Sequence, residues 1–413
     1  MKIEKYLYVF LGIIVLILAS VWVRESVHVE NQTIKNPEEK VKVVATYEQI
    51  NQQKTIKELI EKYNEEAEVE AEIIFMSEEE LKNVIFAGEG KDGKSKVDMI
   101  ICNSVLIPSL IDLNILQDIS GYVTTEVKER FYDNIWSNNM SDGKYYSIPF
   151  TSDPYVLYYN SFLMDKLSLK IPETWEDYEK NVQKISDLGS SYFGFAAKEA
   201  EDLTILYLHW LATTGASIRE TNSDYGMHVL DMLVDIKERA LISPNIINWN
   251  KHDLTRAFSD GRVFMMINTL SMTSVLEKTG HFPYNIKEIP YDRKKAFIYH
   301  GETLCICSKE KYNATVKLMD FMLKEENLDT ICKEFQTLPV VKSGKYHGNL
   351  LEDDLKVQML NYAVCLNSFS SWPRISEAVW DEVYHILISN EEVSVKKSAN
   401  SLSDKIRTAI IEQ

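Results

Sequence analysis

The sequence predicts an α/β protein of two lobes, and three observations lead to this fold class. The chain has 413 residues, more than one hydrophobic core normally organises, so we expect two lobes of roughly 150 to 200 residues each. Hydrophobic residues make up 45% and charged residues 26% of the chain, an ordinary balance for a folded protein. Strand-like and helix-like segments alternate near its start, which indicates a parallel sheet with helices between its strands.

The alternation is clearest between residues 42 and 110. A helix is predicted over 54–64, where four apolar residues recur at helical spacing. Ser77 and Glu80 have the spacing of a capping box, so another helix is predicted over 77–87. The segments with the composition of strands are KVVATYEQ (42–49), EVEAEIIFM (68–76) and KVDMIICN (96–103). Longer helices are predicted further along the chain, over Tyr225–Arg239, Asn313–Lys324 and Ser376–Ser389.

The N-terminus has the character of a membrane segment. Residues 6–23, YLYVFLGIIVLILASVWV, contain no charge, and as a helix they would extend about 27 Å, close to the thickness of a bilayer core. Lys2 and Lys5 precede this run, as in a signal sequence. A good cleavage site does not follow, so we predict an uncleaved signal anchor over 1–23, with a cleaved signal peptide as the alternative. Residues 24–40 are polar and aperiodic, which predicts a tether.

The charge balance excludes one class of partner. The formal net charge is −17, and a phosphate backbone is held by clustered lysine and arginine. Nucleic-acid binding is therefore not predicted.

The five cysteines (102, 305, 307, 332 and 365) have no framework spacing. Cys305 and Cys307 alternate along a strand-like run, so their thiols face the same side and are too close for an easy bridge. We interpret all five as small buried hydrophobic residues.

One glycine-rich segment imitates a nucleotide-binding loop. GEGKDGKS (88–95) matches the pattern G-x-x-x-x-G-K-[ST], but a phosphate loop follows a strand and leads into a helix. Here the predicted helix comes before the loop and the predicted strand after it. We therefore interpret the segment as a surface turn.

Signatures of catalysis and of metal binding are not found in the sequence. It contains no H-E-x-x-H, C-x-x-C or G-x-S-x-G motif, and none of its eight histidines lies one helical turn from another. We predict no catalytic residue, no metal and no cofactor.

Aromatic and polar residues near the ends of predicted strands are the candidates for ligand binding. The segment KYYSIPFTSDPYVLYYNSF (144–162) contains seven aromatic residues, a composition that predicts a ligand-contacting surface, although Tyr158 and Tyr159 are expected to pack inside a strand. Ligands of open α/β sheets bind outside the carboxyl ends of strands. The candidate residues are Tyr47, Glu48, Asn103, Ser104, Asp153, Tyr155, Trp210, Trp249, Asn250, Asn268, Gly301, Glu302, Trp372 and Arg374.

Four segments in a fixed order carry a resemblance to a known family. They are DGKYYSIPFTSDPYVLYYNSFLMDKLSLKIPETWEDY (142–178), NWNKHDLTRAFSDGRVFMMIN (248–268), GETLCICSKEKYNATVKLMDFML (301–323) and FQTLPVVKS (335–343). The chain resembles the extracellular solute-binding proteins of bacterial ABC importers, specifically the sugar and oligosaccharide group that includes maltodextrin-binding members. The resemblance extends from about Val41 to Ile411.

The resemblance implies the type II periplasmic-binding-protein fold, in which two hinged lobes are each discontinuous in sequence. Lobe one would hold 41–150 and 296–343, and lobe two 151–295 and 344–413. The crossover segments would lie near 150–155, 292–298 and 343–346. An N-terminal transmembrane or signal helix would precede both lobes.

The resemblance also implies a function. The cleft between the lobes would bind a carbohydrate, because aromatic rings suit the apolar face of a pyranose and carboxylates such as Glu48, Asp153 and Glu302 accept bonds from its hydroxyls. The partners would be the permease subunits of an ABC importer and, through the N-terminal helix, the extracytoplasmic face of the membrane.

Two departures from the family pattern affect these expectations. Val21 follows Leu18-Ala19-Ser20 where many members carry a lipid-bearing cysteine, so a lipid anchor is not predicted. His300-Gly301 replaces a glycine pair. The alternatives are a binding protein that signals to a membrane sensor kinase and a glycan-active enzyme.

Overall fold

The computed structural model describes residues 40–47, 49–78, 80, 81, 83, 97–186, 192–344, 359–364 and 371–411. The predicted signal segment 1–23, most of the tether and the glycine-rich segment 88–95 lie outside these residues, as do Glu48 and Cys365. Within the described part of the chain, no helix combines the length and the apolar character that crossing a membrane requires.

The described residues form strands and helices in alternation. The strands are β1 Val41–Ala45, β2 Ala71–Phe75, β3 Met99–Asn103, β4 Met140–Ser141, β5 Lys144–Tyr145, β6 Ser147–Pro149, β7 Thr151–Ser152, β8 Tyr155–Asn160, β9 Tyr192–Phe195, β10 Val263–Thr269, β11 Tyr284–Lys287, β12 Phe297–Ile298, β13 Glu302–Ile306, β14 Leu338–Pro339 and β15 Ala363–Val364. The helices are α1 Ile50–Glu66, α2 Ile107–Asp112, α3 Thr125–Glu129, α4 Ser161–Lys166, α5 Trp175–Ser186, α6 Ala200–Thr214, α7 Asp224–Glu238, α8 Lys251–Ser259, α9 Thr273–Thr279, α10 Tyr312–Met322, α11 Glu325–Phe335, α12 Trp372–Ile388 and α13 Val395–Ile411.

The first sheet has the order β2-β1-β3-β13-β6. Strand β1 is parallel to β2 and β3, whereas β13 is antiparallel to β3 and β6. Every residue of β3 is buried, as expected of a strand covered on both faces. Because β13 runs opposite to β3, its first residue Glu302 pairs with Asn103, the last residue of β3. The carboxyl ends of β1 and β3 and the amino end of β13 therefore share one edge.

The second sheet has the order β11-β8-β10-β9. Strand β10 is antiparallel to β8 and parallel to β9, and its last residue Thr269 pairs with Tyr155, the first residue of β8. This register brings the residues just before β8 next to those just after β10. Tyr158 and Tyr159 are buried within β8, which confirms that they pack inside a strand.

The chain passes between the two sheets at two points that the structure describes. After β6 it forms β7, which pairs with β14, and enters the second sheet at β8. After β11 it forms β12, which pairs with β15, and returns to the first sheet at β13. The two passages touch, because a Cβ atom on Gly301 would lie 2.0 Å from the Thr151 backbone oxygen. Only glycine fits this contact without a backbone shift.

The core of the second lobe is rich in aromatic rings. Trp210 is 1% exposed and packs edge-to-face on Trp175 at 5.5 Å and on Phe195 at 5.4 Å. Tyr178 and Phe193 extend the cluster with a centroid distance of 4.5 Å. Buried ring pairs in this geometry add to the large burial energy of each side chain, so this cluster stabilises the lobe.

The structure confirms several local predictions. The helical face of α1 formed by Ile56, Leu59, Ile60 and Tyr63 is buried. The capping pair is present, since Ser77 N donates to Glu80 Oε2 at 2.8 Å and Glu80 N donates to Ser77 Oγ at 3.1 Å. Four of the five cysteines are described, and all four are buried: Cys102, Cys305, Cys307 and Cys332.

Candidate ligand-binding cleft

A cavity of about 480 Å³ lies between the facing edges of the two sheets. Its volume is within the range of ordinary small-molecule sites. Its lining residues come from both sheets and from the two passages between them. They lie in the segments 46–52, 77–78, 103, 151–153, 199–202, 250–252, 269–272, 300–302 and 335–337.

Three strand ends position the first-sheet wall. Tyr47 follows β1, Asn103 ends β3 and Glu302 begins β13, so the shared edge brings all three to the cavity. The Tyr47 ring packs edge-to-face on Phe335 at 5.1 Å. The Asn103 side-chain oxygen accepts from Val105 N at 3.1 Å, and this bond caps the turn after β3. The side-chain nitrogen of Asn103 is not used in this cap.

The register of β8 and β10 sets the position of Asp153 on the opposite wall. Ser271 N donates to Asp153 Oδ1 at 2.8 Å, and the Ser271 hydroxyl donates to Asp153 Oδ2 at 2.7 Å. The carboxylate therefore joins the first passage to the turn after β10. Asp153 reaches the cavity, but both of its oxygens already serve this link.

The first turns of α6 and α8 complete the second-sheet wall. Asp202 lies in the first turn of α6, where the helix dipole favours a carboxylate. It accepts a hydrogen bond from the Tyr155 hydroxyl at 2.8 Å and pairs with Lys251 Nζ at 3.2 Å. Lys251 begins α8 directly after Asn250, whose side-chain oxygen accepts from Asp253 N at 2.9 Å as the helix cap.

His300 contacts both walls and the first passage. Its Nε2 lies 2.6 Å from Asn103 Nδ2 and 3.8 Å from Glu201 Oε1, and its Nδ1 lies 3.3 Å from the Asp153 backbone oxygen. In the neutral ring, Nε2 accepts from the Asn103 amide and Nδ1 donates to Asp153. In the charged ring both nitrogens donate, and Nε2 then faces Glu201. The bond from the Asn103 amide therefore requires the neutral ring, whereas the charged ring is attracted to the Glu201 carboxylate.

Carboxylates dominate the charge of the cavity. Among the lining residues that the structure describes, six are acidic: Glu78, Asp153, Glu199, Glu201, Asp202 and Glu302. Burial alone would lower the pKa of Lys251, but the charges of Asp202 and Asp153 outweigh it and raise that pKa. Burial also lowers the pKa of His300, whereas its bond to Glu201 raises it, and the net direction is upward. Neighbouring acids therefore favour the charged form of both side chains.

Burial strongly perturbs the Glu302 carboxyl. Burial raises the pKa of Glu302 to about 8, and His300 opposes this increase. The negative charges of Glu78, Asp153 and Glu201 reinforce it. Near neutral pH the Glu302 side chain is therefore mostly a neutral acid that can donate a hydrogen bond.

Some polar atoms of the wall lack a partner. Among the residues that the structure describes, four oxygens of the cavity lining are buried without a hydrogen-bond partner: Tyr47 OH, Asp202 Oδ2, Glu302 Oε2 and Thr337 Oγ1. Leaving a buried polar group unpaired costs about 1–3 kcal/mol. Two of the four are hydroxyl oxygens, which donate as well as accept, so a ligand that offers both donors and acceptors suits this wall.

Nine of the candidate residues lie at or just behind the cavity wall. Five of them line it: Tyr47, Asn103, Asp153, Asn250 and Glu302. The other four support those residues from behind. Ser104 N donates to the Gly301 backbone oxygen at 2.9 Å, Tyr155 holds Asp202, and Asn268 Nδ2 donates to the Lys251 backbone oxygen at 2.9 Å.

The structure places the tryptophan candidates away from the cavity lining. Trp210 belongs to the aromatic core of the second lobe. Trp249 is 8% exposed with the Arg262 guanidinium over its ring at 5.7 Å, and Trp372 is 5% exposed at the start of α12. Arg374 is exposed on the first turn of α12. The physical reason is that each of the three rings removes more apolar surface from water inside a lobe than at a wet cavity wall.

Several cleft residues were not predicted from the sequence, notably Lys251, His300, Glu201, Asp202 and Ser271. One signal was present, since His300 departs from the glycine pair of the family pattern. The acidic start of α6 was a second signal, because Glu199, Glu201 and Asp202 crowd one helix end.

Comparisons with known proteins agree with this architecture. A family model described as bacterial extracellular solute-binding protein matches residues 58–349. A Brucella abortus protein whose name states binding but no ligand is 23% identical over 329 residues, covering 76% of this chain and 80% of that protein. The sn-glycerol-3-phosphate-binding periplasmic protein UgpB of Escherichia coli is 24% identical over 254 residues, covering 53% of this chain and 56% of UgpB.

A solved structure shares the fold. Maltose-bound MalE3 of T. maritima superposes with a TM-score of 0.75 at 18% identity, covering 89% of this chain and 99% of that one. The family match spans well over half of the chain. The protein is therefore a member of the bacterial extracellular solute-binding proteins, a family of binding proteins rather than of enzymes.

Proposed function

We propose that this protein captures a carbohydrate in the interlobe cleft and delivers it to an ABC importer on the extracytoplasmic face of the membrane. The observation that carries this proposal is the cavity of about 480 Å³, whose wall combines hydroxyl, amide and carboxyl groups. Among the residues that the structure describes, four oxygens of this wall have no hydrogen-bond partner within the protein. A sugar presents many hydroxyls that donate to such oxygens. The Tyr47 and Phe335 rings offer an apolar surface beside them.

Hinged closure is part of the proposal. The lobes would be 41–150 with 296–343 and 151–295 with 344–413, joined near 150–155, 292–298 and 343–346. The two passages seen between the sheets support this division. The cavity takes residues from both lobes, so a ligand there contacts both at once only when they are close together. Such differential contact drives closure.

A phosphate ester is the ligand stated in the name of UgpB, and the cleft chemistry disfavours it here. Lys251 is the one lysine or arginine among the described lining residues, and it is already paired with Asp202. Phosphate binding uses free arginine, lysine or clustered backbone N–H groups. The carboxylates around the cavity would repel a phosphate instead.

Signalling to a membrane sensor kinase is the second candidate function. It is favoured by one feature of the sequence, the charge-free run 6–23 without a good cleavage site, which would keep the protein at the membrane. Purification from membranes after crosslinking separates the two functions. Permease subunits in the crosslinked product support delivery, whereas a kinase in their place supports signalling.

The ligand proposal is tested by thermal shift with the full-length protein against neutral sugars, amino sugars, polyamines and glycerol phosphates. A ligand present at about 100 times its dissociation constant adds about 2.7 kcal/mol to stability. We expect at least one carbohydrate to produce this shift. If only a polyamine or a phosphate ester does so, the protein does not bind carbohydrate.

A further inference from the structure

One contact beside the cleft joins the two proposed lobes through titratable side chains. His300 lies between β12 and β13 in lobe one, and Glu201 lies in the first turn of α6 in lobe two. His300 Nε2 is 3.8 Å from Glu201 Oε1. The other ion pair of the cavity, between Lys251 and Asp202, stays within lobe two. The strength of the His300–Glu201 contact therefore depends on the distance between the lobes.

A second contact of the same nitrogen stays within lobe one. Asn103 Nδ2 lies 2.6 Å from His300 Nε2, and the Asn103 side-chain oxygen is used by Val105 N. The group that Asn103 presents to the ring is therefore its N–H donor, and the bond needs an unprotonated Nε2. Because His300 and Asn103 belong to the same lobe, movement of the lobes leaves this bond unchanged.

A proton on Nε2 reverses the preference of the ring. The protonated nitrogen is a donor, so it no longer accepts from Asn103 and is attracted to the Glu201 carboxylate instead. Of these two partners, Glu201 is the one in the opposite lobe. His300 is 8% and Glu201 33% exposed, so salt screens their attraction less than it screens a surface pair. The charged ring therefore favours lobes that are close together.

The charged groups that face the ring from other elements do not cancel this effect. Asp153 on the first passage adds attraction, whereas Lys251 on α8 opposes it but is paired with Asp202 at 3.2 Å. Burial lowers the pKa of His300, and the bond to Glu201 raises it, with a net upward direction. The Nδ1 atom of the ring, 3.3 Å from the Asp153 backbone oxygen, donates in both charge states.

Two further titratable groups lie close to the ring, on β8 and β13. The Tyr155 ring contacts the His300 ring edge-to-face at 6.0 Å, and burial raises the pKa of Tyr155, so it stays neutral. Burial raises the pKa of Glu302 to about 8. An ionised Glu302 would repel Glu201 across the cleft, but it forms at higher pH than the neutral imidazole of His300 normally does. The two titrations can therefore be separated by pH range and by substitution.

We propose that His300 and Glu201 form a pH-sensitive closure contact, in which protonation of His300 favours the closed arrangement of the lobes. This inference rests on the hinged closure proposed above and not on the identity of the ligand. Closure then takes up a proton, so the closed arrangement gains as pH falls through the pKa of His300. A glycine at position 300, as in the family pattern, would reach neither Asn103 nor Glu201.

Fluorescence energy transfer between two labels tests the inference without a ligand. Lys57 on α1 and Asp231 on α7 are exposed and belong to different proposed lobes, so labels at these positions of the full-length protein report the distance between them. We expect the ratio of closed to open molecules to be roughly 2- to 5-fold higher at about pH 5.5 than at about pH 7.5. The same ratio at both pH values would overturn the proposal.

Four variants identify the groups responsible. Glu201→Gln and His300→Gln should each remove most of the pH response, because each removes one charge of the contact. Glu302→Gln should keep the response in this range, since Glu302 titrates at higher pH. Glu238→Gln, an exposed glutamate of α7, is the matched control for Glu201 and should also keep it. A response that survives Glu201→Gln and is lost in Glu302→Gln would contradict the contact.

Nuclear magnetic resonance of ¹³C-labelled histidine gives a second measurement, which stays informative if His300→Gln fails to fold. Glu201→Gln should lower the pKa of His300 by roughly 0.3–0.7, the equivalent of the expected 2- to 5-fold change. An unchanged pKa would show that Glu201 does not act on the ring. If a carbohydrate shifts thermal stability but the pH response is absent, this inference is wrong and the proposed function stands. If the pH response is present but no carbohydrate binds, the contact stands and the carbohydrate function fails.

Discussion

The aromatic core of the second lobe and the interlobe cleft both contain buried polar atoms without partners, but only one of them has room beside those atoms. In the described part of the core, the atoms without a partner include Trp175 Nε1, Tyr178 OH and Trp210 Nε1, and they lie among closely packed rings. In the cleft, four of the described residues that carry such an oxygen line a cavity of about 480 Å³.

A buried polar atom without a partner therefore means something different in the two regions. In the core, the cost of an unpaired polar atom is offset by the large apolar area that each ring buries. In the cleft, the atoms are carboxyl and hydroxyl oxygens of residues that line a cavity, so a bound ligand can offset part of the cost. An unpaired buried group therefore indicates a binding site only where space adjoins it.

The largest effect is expected in the core. Trp210→Ala should lower the free energy of unfolding by about 3–5 kcal/mol, because it removes a fully buried ring from the aromatic cluster. Urea unfolding measures this, with Tyr362→Ala, at 42% exposure, as the aromatic control. Unchanged stability together with lost ligand binding would assign Trp210 to the cleft after all.

The next effect concerns the passages that set the distance between the two regions. In Gly301→Ala the new Cβ would meet the Thr151 backbone oxygen at 2.0 Å. Relieving that overlap should cost about 1–3 kcal/mol of unfolding free energy. Gly121→Ala is the matched control, since nothing lies within 4 Å of its added Cβ, and it should stay within about 0.5 kcal/mol. Equal stability of both variants would show that the passages can separate freely.

Glu302 should make stability depend on pH. Its pKa of about 8 in the folded protein exceeds the unfolded value of about 4.3, so the folded state holds an extra proton between these values. Stability should therefore fall as pH rises through this window, by up to about 1.4 kcal/mol per pH unit, and level off above it. Urea titrations of the wild type and Glu302→Gln should show a flatter dependence in the variant. Parallel curves would contradict the raised pKa.

The smallest effect is expected on ligand affinity when a single hydroxyl group is removed. Tyr47→Phe should weaken ligand binding by roughly 2- to 12-fold, the loss of one hydrogen bond, with stability unchanged. Tyr207→Phe removes an unpaired hydroxyl of the core and should change neither quantity. Calorimetry with the sugar that gives the largest thermal shift measures both. Equal affinities would place the Tyr47 hydroxyl outside the site.

The fold was largely predictable because its signals are local. The buried face of α1 and the Ser77–Glu80 capping pair both follow from spacing within one helix. The edge residues Tyr47 and Asn103 follow from the rule that ligands bind beyond strand ends. These predictions need no knowledge of distant contacts.

The rest of the cleft depends on long-range contacts that one sequence does not display. Asn250 was chosen as a polar loop residue, but its side chain caps α8 and so positions Lys251, the residue that pairs with Asp202. Trp210 and Trp372 are of a residue type suited to stacking on sugars, but both side chains are buried. Composition alone does not tell a ring inside a lobe from a ring on its surface.

The described residues that line the cleft are spread along the chain, from near residue 46 to near residue 337. A nascent or truncated chain that stops before this last segment lacks part of the wall, however well its early helices have formed. Ligand capture therefore has to wait until nearly the whole polypeptide has been synthesised and arranged. A ligand-binding assay on this protein therefore also reports whether the whole chain has folded, and it should detect misfolding in segments far from the ligand.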